Sequence, residues 1–124
     1  MFQIEQGDCI GGYTSQNWES LWPGEYKADS SAFLFNLTHS RYFPSKATGR
    51  DIYCQYNYGP CFRGDGRIEL VAGYGQFNGK DKCASWANKP AYNIPLVDGK
   101  NQLTNQADGD FTISELEVWL VEEE

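Results

Sequence analysis

The chain has 124 residues, 40% of them hydrophobic and 15% aromatic, which suits one domain with a buried core and is too short for two. Its net charge of −7 argues against a protein that tracks a nucleic-acid backbone, because such binders need a cationic stripe to release phosphate counterions. No apolar run approaches the roughly 20 residues of a membrane-spanning helix, so membrane insertion is not expected. The basic residues between Lys46 and Lys89 are interleaved with Asp51, Asp65, Glu69 and Asp81, a mixed surface rather than a basic patch. Met1-Phe-Gln-Ile-Glu-Gln6 lacks the charged start and apolar stretch of a secretory signal. A cytoplasmic location is therefore expected, with a secreted one as the alternative.

Period-two alternation recurs along the chain while helical periodicity does not, so an all-β fold is expected. Phe2 and Ile4 alternate with Gln3 and Glu5, Gly7-Asp8 turns the chain, and Ile10-Gly-Gly-Tyr13 opens a second strand. Gly11 and Gly12 suit a close approach or a bulge. Ser15 to Pro23 has room for at most one helical turn before Pro23-Gly24 breaks it. Ala32 to Leu37 reads as a mid-sheet strand with Phe33, Phe35 and Leu37 on one face and Ala32 and Leu34 on the other. Tyr42 to Arg50 reads as a loop, Asp51 to Gln55 as a short strand, and Asn57-Tyr-Gly-Pro60 as a corner into Cys61-Phe62.

Arg63-Gly-Asp-Gly66 has the glycines of a hairpin turn, returning through Arg67 to Val71 with Ile68 and Leu70 inward. Gly73 to Gly79 reads as a loop, Lys82 to Ala87 as an edge strand, and Asn101 to Gly109 as another loop. In the last strand Phe111 and Ile113 share a face that Leu116, Val118 and Leu120 would miss, and a β-bulge near Ser114-Glu115 would restore all five to the core. Glu122 to Glu124 form an acidic tail. The expected core is Phe33, Phe35, Leu37, Ile68, Leu70, Ile113, Leu116 and Val118.

No catalytic, metal or cofactor set emerges. His39 is the single histidine and stands beyond a strand without a serine or cysteine motif, which reads as a strand-end residue. Asp108 to Glu117 imitates the end of a calcium loop, but Gln106 stands where the first ligand belongs and Phe111 where glycine is required. A looser oxygen site at Asp108 and Asp110 is the residual alternative. Gly73-Tyr-Gly75 and Gly64-Asp-Gly66 open no helix, so neither reads as a phosphate cradle. The four cysteines lack paired metal spacing and read as buried thiols in a cytosolic domain. The alternative is one or two disulfides in a secreted protein, with Cys54 and Cys61 the first pair to consider, and Asn36-Leu-Thr38 is then a formal glycosylation acceptor, although Asn36 in a central strand is expected to contribute to packing. Trp18, Trp22, Tyr74 and Trp86 flank loops, where rings could stack on a sugar.

Five phrases in order, Ile10-Gly-Gly-Tyr-Thr-Ser15, Ala32-Phe-Leu-Phe-Asn-Leu37, Ile52-Tyr-Cys54, Tyr58-Gly-Pro-Cys-Phe62 and Phe111-Thr-Ile-Ser-Glu-Leu-Glu-Val-Trp119, resemble the TLDc domain, a module found beside TBC and LysM domains. Trp18 after the first phrase and Asp29 before the second fit the same order, and the likeness runs from about Phe2 to Val121. Two features depart from it: members carry a further, partly helical segment before the strand that starts here at Phe2, and they place an aspartate near the position of Arg67. The resemblance implies a β-sandwich of two antiparallel sheets with long loops and little helix, spanning residues 1–124 as a single domain. It further implies oxidative-stress protection and association with the vacuolar proton-pumping ATPase. The expected function is accordingly a non-enzymatic protein-interaction module, with an extracellular structural or glycan-binding domain as the alternative. Arg63, Asp65, Arg67 and Trp86 form the expected contact group, because exposed arginine and tryptophan are favoured interface anchors.

Overall fold

The structure, a computed structural model, describes residues 2–4, 7–16, 24–47, 49–54, 61–64, 67–71, 83–88, 91–107, 109–111 and 113–116, and for 2, 63, 64, 67, 68, 110 and 114–116 it describes the backbone alone. The described residues contain strands and turns but no helix, hence none able to cross a membrane. In chain order the strands are β1 (Phe2–Ile4), β2 (Cys9–Tyr13), β3 (Glu25–Lys27), β4 (Phe33–Asn36), β5 (Arg41–Pro44), β6 (Ile52–Cys54) and β7 (Cys61–Gly64). They continue with β8 (Arg67–Val71), β9 (Cys83–Ser85), β10 (Leu96–Val97), β11 (Lys100–Asn101), β12 (Gln106–Ala107), β13 (Gly109–Phe111) and β14 (Ile113–Leu116). All pairings are antiparallel. The expected all-β class holds, and the two-sheet arrangement gains two smaller ribbons: a five-stranded sheet (β14-β1-β2-β4-β5) and a four-stranded sheet (β13-β9-β8-β7) are accompanied by β10-β11-β12 and by β3-β6.

The two large sheets share one core. Ile4, Ile10, Leu34 and Ile113 from the first meet Phe62, Leu70, Cys83 and Phe111 from the second, with Tyr92, Ile94 and Leu103 from the later loops. At Gly12 the sheets come too close for a side chain. A Cβ there would lie 2.5 Å from Phe62 Cζ and 2.8 Å from Leu34 Cδ2, so the Phe62 ring occupies the space that the glycine leaves. The close-approach reading of Gly12 is thereby given its partner, an aromatic ring rather than another backbone.

The expected bulge in the last strand is present. Gln3 pairs with Glu115 and Ile4 with Ile113, so Ser114 is the extra residue, and Phe111 and Ile113 are both buried. The expected single strand is divided, because Phe111 belongs to the four-stranded sheet and Ile113 to the five-stranded one.

Other expectations are corrected. In β4 the face is reversed: Leu34 and Asn36 point into the core, Phe33 and Phe35 are half-buried, and Leu37 is 52% exposed in the turn that follows. Alternation marks two faces but does not choose between them, and the space beside Gly12 and Phe62 admits Leu34, while the phenylalanines stack outside. Tyr42 to Arg50 is not all loop, since β5 pairs with β4 at the sheet edge, where Pro44 needs no ladder donor. The expected edge strand near Cys83 is an interior one, flanked by β13 and β8 and buried at all three residues, small enough to be covered on both faces. Within Asn101 to Gly109 there are strand residues in β11 and β12. Leu70 and Ile113 are buried as expected. The side chains of Ile68 and Leu116, residue Val118, the 73–79 loop and the 122–124 tail lie outside what is described.

A polar pin crosses the molecule at Asp29. Its Oδ2 accepts from Thr14 Oγ1 at 2.6 Å and Ser15 N at 2.6 Å, and its Oδ1 accepts from Ser31 N at 3.0 Å and Ser31 Oγ at 2.5 Å. Burial pushes this carboxyl up, but the hydrogen bonds from Ser31, Thr14 and Ser15 outweigh it and hold Asp29 at about 2.

Two outcomes are expected. Replacing Gly12 by Ala overpacks the sheet contact and costs about 1–3 kcal/mol in chemical denaturation, and Phe62→Leu in the same chain returns part of that loss, as a double-mutant cycle would report. Because Asp29 has a lowered value, its stabilisation is complete above the ordinary range near 3.8 and disappears as pH falls through about 2. Asp29→Asn is therefore expected to lose about 2 kcal/mol at neutral pH, with the gap to the unaltered chain closing in melts taken toward pH 2.

Candidate partner-binding surface

The β7–β8 hairpin places Arg63 opposite Ile68 and Gly64 opposite Arg67, so both arginines stand beside the turn at one end of the four-stranded sheet. Asp65, in that turn, lies outside the described residues. Strand β9 runs antiparallel to β8 with Val71 opposite Ala84, which brings the residue after β9, Trp86, to the same end of the sheet. Trp86 is 42% exposed, and its ring lies over Gly109, 3.2 Å from where a Cβ at that position would be. Gly109 has φ +113°, so its lack of a side chain serves both the backbone and the tryptophan. Arg63, Arg67 and Trp86 are thus gathered at one sheet end by backbone placement.

Behind this end lies a buried carboxylate that the sequence reading did not single out. Between β7 and β8 the register slips: Phe62 pairs with Leu70 but Arg63 with Ile68, leaving Glu69 as the extra residue of a bulge. Glu69, Leu70 and Val71 are all buried, since this sheet is covered on both faces. Glu69 Oε1 accepts from Tyr92 N at 2.7 Å and Asn93 N at 3.1 Å, while its Oε2 is buried without a hydrogen-bond partner among the described residues. Burial pushes the Glu69 carboxyl up to about 7 against the pull of the Tyr92, Asn93 and Ala91 N–H groups, and the Asp51 carboxylate adds to the rise. Ser85 Oγ donates to Glu69 O at 2.7 Å and accepts from Asn101 Nδ2 at 3.0 Å, tying β8 to β9 and β11. Tyr92 donates its hydroxyl to Asp51 O at 2.6 Å, and Asp51 accepts from Asp29 N and from Ser45 Oγ. Burial, with Asp51, Glu69 and Asp29 close by, raises the Tyr92 phenol above its ordinary range.

The remaining singled-out residues are dispersed. His39 Nδ1 lies 2.6 Å from Asp8 Oδ2, and its backbone N–H donates to Asn36 Oδ1 at 2.8 Å. This is a histidine held by a carboxylate, with its described bonds going to orienting groups rather than to a nucleophile. Asn36 is buried, its Nδ2 donating to Asp8 Oδ2 and to Leu103 O, both at 2.8 Å. Asn36 thus takes the packing role expected of a residue in a central strand, and its side-chain nitrogen, which glycan attachment would need at the surface, is used inside. Cys54 and Cys61 are buried and not joined in a disulfide, and they lie on strands of different sheets, Cys54 in the main core and Cys61 in a smaller cluster with Val71 and Ala84. Among the described residues no group of His, Cys, Asp and Glu is arranged to hold a metal ion. Asp108, the Asp110 side chain, Trp18, Trp22 and Tyr74 lie outside the described set.

Sequence reasoning placed the aromatic residues of β4 in the core and so missed an outer row. Tyr13 stacks on Phe33 at 5.3 Å, Phe33 meets Phe35 at 6.0 Å and Tyr42 at 4.8 Å, and Tyr42 is 60% exposed. The register that aligns Tyr13 with Phe33 and Phe35 with Tyr42 accounts for it.

The search of curated proteins and the search of solved structures found no match to this chain. Among family models, that of the TLDc domain matches residues 1–122. With the strand order, the Ser114 bulge and the ordered phrases all lying within that match, the chain belongs to the TLDc domain family.

Proposed function

We propose that this domain is a non-enzymatic protein-interaction module that serves oxidative-stress protection or the regulation of the vacuolar proton-pumping ATPase, in the cytoplasm. The family match over residues 1–122 carries the reading. Its contact surface is the sheet end bearing Arg63, Asp65, Arg67 and Trp86. Support for that location comes from the exposed Trp86 ring seated on Gly109 and from two arginine positions flanking one tight turn of the adjacent hairpin. An anchor of this kind presents a large ring at little entropic cost.

The alternative, a glycan-binding domain, is favoured by one observation, the Tyr13–Phe33–Phe35–Tyr42 row, since partly exposed rings can stack on the apolar face of a sugar.

The two readings separate in one comparison. Immobilised domain is expected to recover pump subunits from a cytosolic extract, and reversing both charges (Arg63→Glu with Arg67→Glu) is expected to lower that recovery about tenfold, the equivalent of about 1.4 kcal/mol, with the melting temperature unchanged. Recovery unaffected by the double reversal removes this surface. Retention on a glycan array that Tyr42→Ala abolishes, with no pump subunit recovered, would replace the interaction reading with the glycan one.

A further inference from the structure

Glu69 is placed where a carboxylate is hard to keep charged. It is the extra residue of the β8 bulge and is buried beside Leu70, Oε1 is engaged by the N–H groups of Tyr92 and Asn93, and among the described residues Oε2 has no hydrogen-bond partner. Successive backbone N–H groups converging on one oxygen form an anion-binding concavity, helped here by Asn93 at φ +52°. The second oxygen decides the balance. A charged carboxylate needs solvation on both oxygens, whereas a neutral acid with its proton on Oε2 buries one weakly polar O–H, a much smaller cost.

We propose that Glu69 is a proton-operated latch: with the carboxyl protonated, the β8 bulge and the 91–93 segment close as one unit, and loss of the proton opens that segment to water. The transfer is a simple acid dissociation, the proton passing from Oε2 to solvent as water reaches the carboxylate.

The groups around the latch favour the same direction. From the residue before β6, Asp51 adds a negative charge that opposes ionisation of Glu69. From the 91–93 segment comes the neutral Tyr92 phenol, bonded to Asp51 O, with Asp29 one step further along. Cys61 faces Tyr92 from β7, and β9 and β11 contribute the uncharged Ser85 and Asn101. With Glu69 raised from 4.5 to about 7, the closed form is favoured below 4.5 and its advantage is lost progressively as pH rises to about 7. The latch operates independently of the partner proposed above. It would act on that partner's surface through β8, which carries both Arg67 and the bulge.

The test is amide hydrogen exchange by NMR on the full chain, corrected for the intrinsic pH dependence of exchange. Protection at Tyr92 and Asn93 is expected to fall about tenfold from pH 6 to pH 8. The Ile10 and Leu34 amides, in the central strands, stay more strongly protected at both values. Glu69→Gln keeps an Oε1 acceptor without a charge and is expected to hold Tyr92 and Asn93 protection level across the same range. Unchanged protection in the natural chain, or an equal fall in the glutamine variant, overturns the latch. Should the variant not fold, the carboxyl carbon signal of Glu69 in the natural chain decides: a midpoint near 7 that coincides with the loss of protection supports the latch, and a midpoint in the ordinary glutamate range ends it.

Discussion

The ring of Phe62 fills the space that Gly12 leaves empty, and the rest of the architecture is organised around that contact. A side chain at position 12 would force the five-stranded and four-stranded sheets apart. With them close, Leu34 finds its place beside the same ring, and Tyr92 meets Phe62 edge-on with centroids 6.1 Å apart. Interiors packed to crystal-like density transmit such constraints, because no neighbouring group has room to absorb a shift. Tyr92 therefore fixes the 91–93 segment, and this segment brings its N–H groups to Glu69.

A second consequence concerns polar groups. The core takes in Glu69, Asp51 and Asp29 near one another, an arrangement that would be costly without donors. The donors come mostly from turns: Thr14, Ser15 and Ser31 for Asp29, Ser45 and the Asp29 backbone for Asp51, and the Tyr92 and Asn93 backbone for Glu69. These carboxylates hold loops to sheets. Asp29, with donors on both oxygens, stays charged far into acid, while Glu69, with donors on one, does not. Environment separates two chemically similar groups in opposite directions.

The exposed features lie apart from this interior. Trp86 and the β7–β8 hairpin mark one end of the four-stranded sheet, whereas the Tyr13–Phe33–Phe35–Tyr42 row lies on the outer face of the other sheet. A partner gripping the first would lie next to the Glu69 bulge, and a ligand stacked on the second would not. Two surfaces with different chemistry on one small domain give a physical basis for keeping an interaction reading and a glycan reading distinct.

Local and periodic features were legible in the residues alone. Alternation gave the all-β class, the turn glycines located the β1–β2 and β7–β8 reversals, and the phase change between Ile113 and Leu116 located the bulge at Ser114, because a buried face cannot be kept across an odd step without an extra residue. The ordered phrases were enough to identify the family. Long-range packing set which face of β4 is inside, since Phe33, Leu34 and Phe35 are all apolar and the choice is made by Phe62 arriving from a strand far along the chain. It also decided that Asn36 is a buried donor to Asp8 and Leu103 rather than a glycan acceptor, and that β9 is central rather than an edge. Glu69 is the sharpest case: a charged residue between Ile68 and Leu70 reads as the solvent face of a strand, whereas the fold covers both faces of that sheet and buries it.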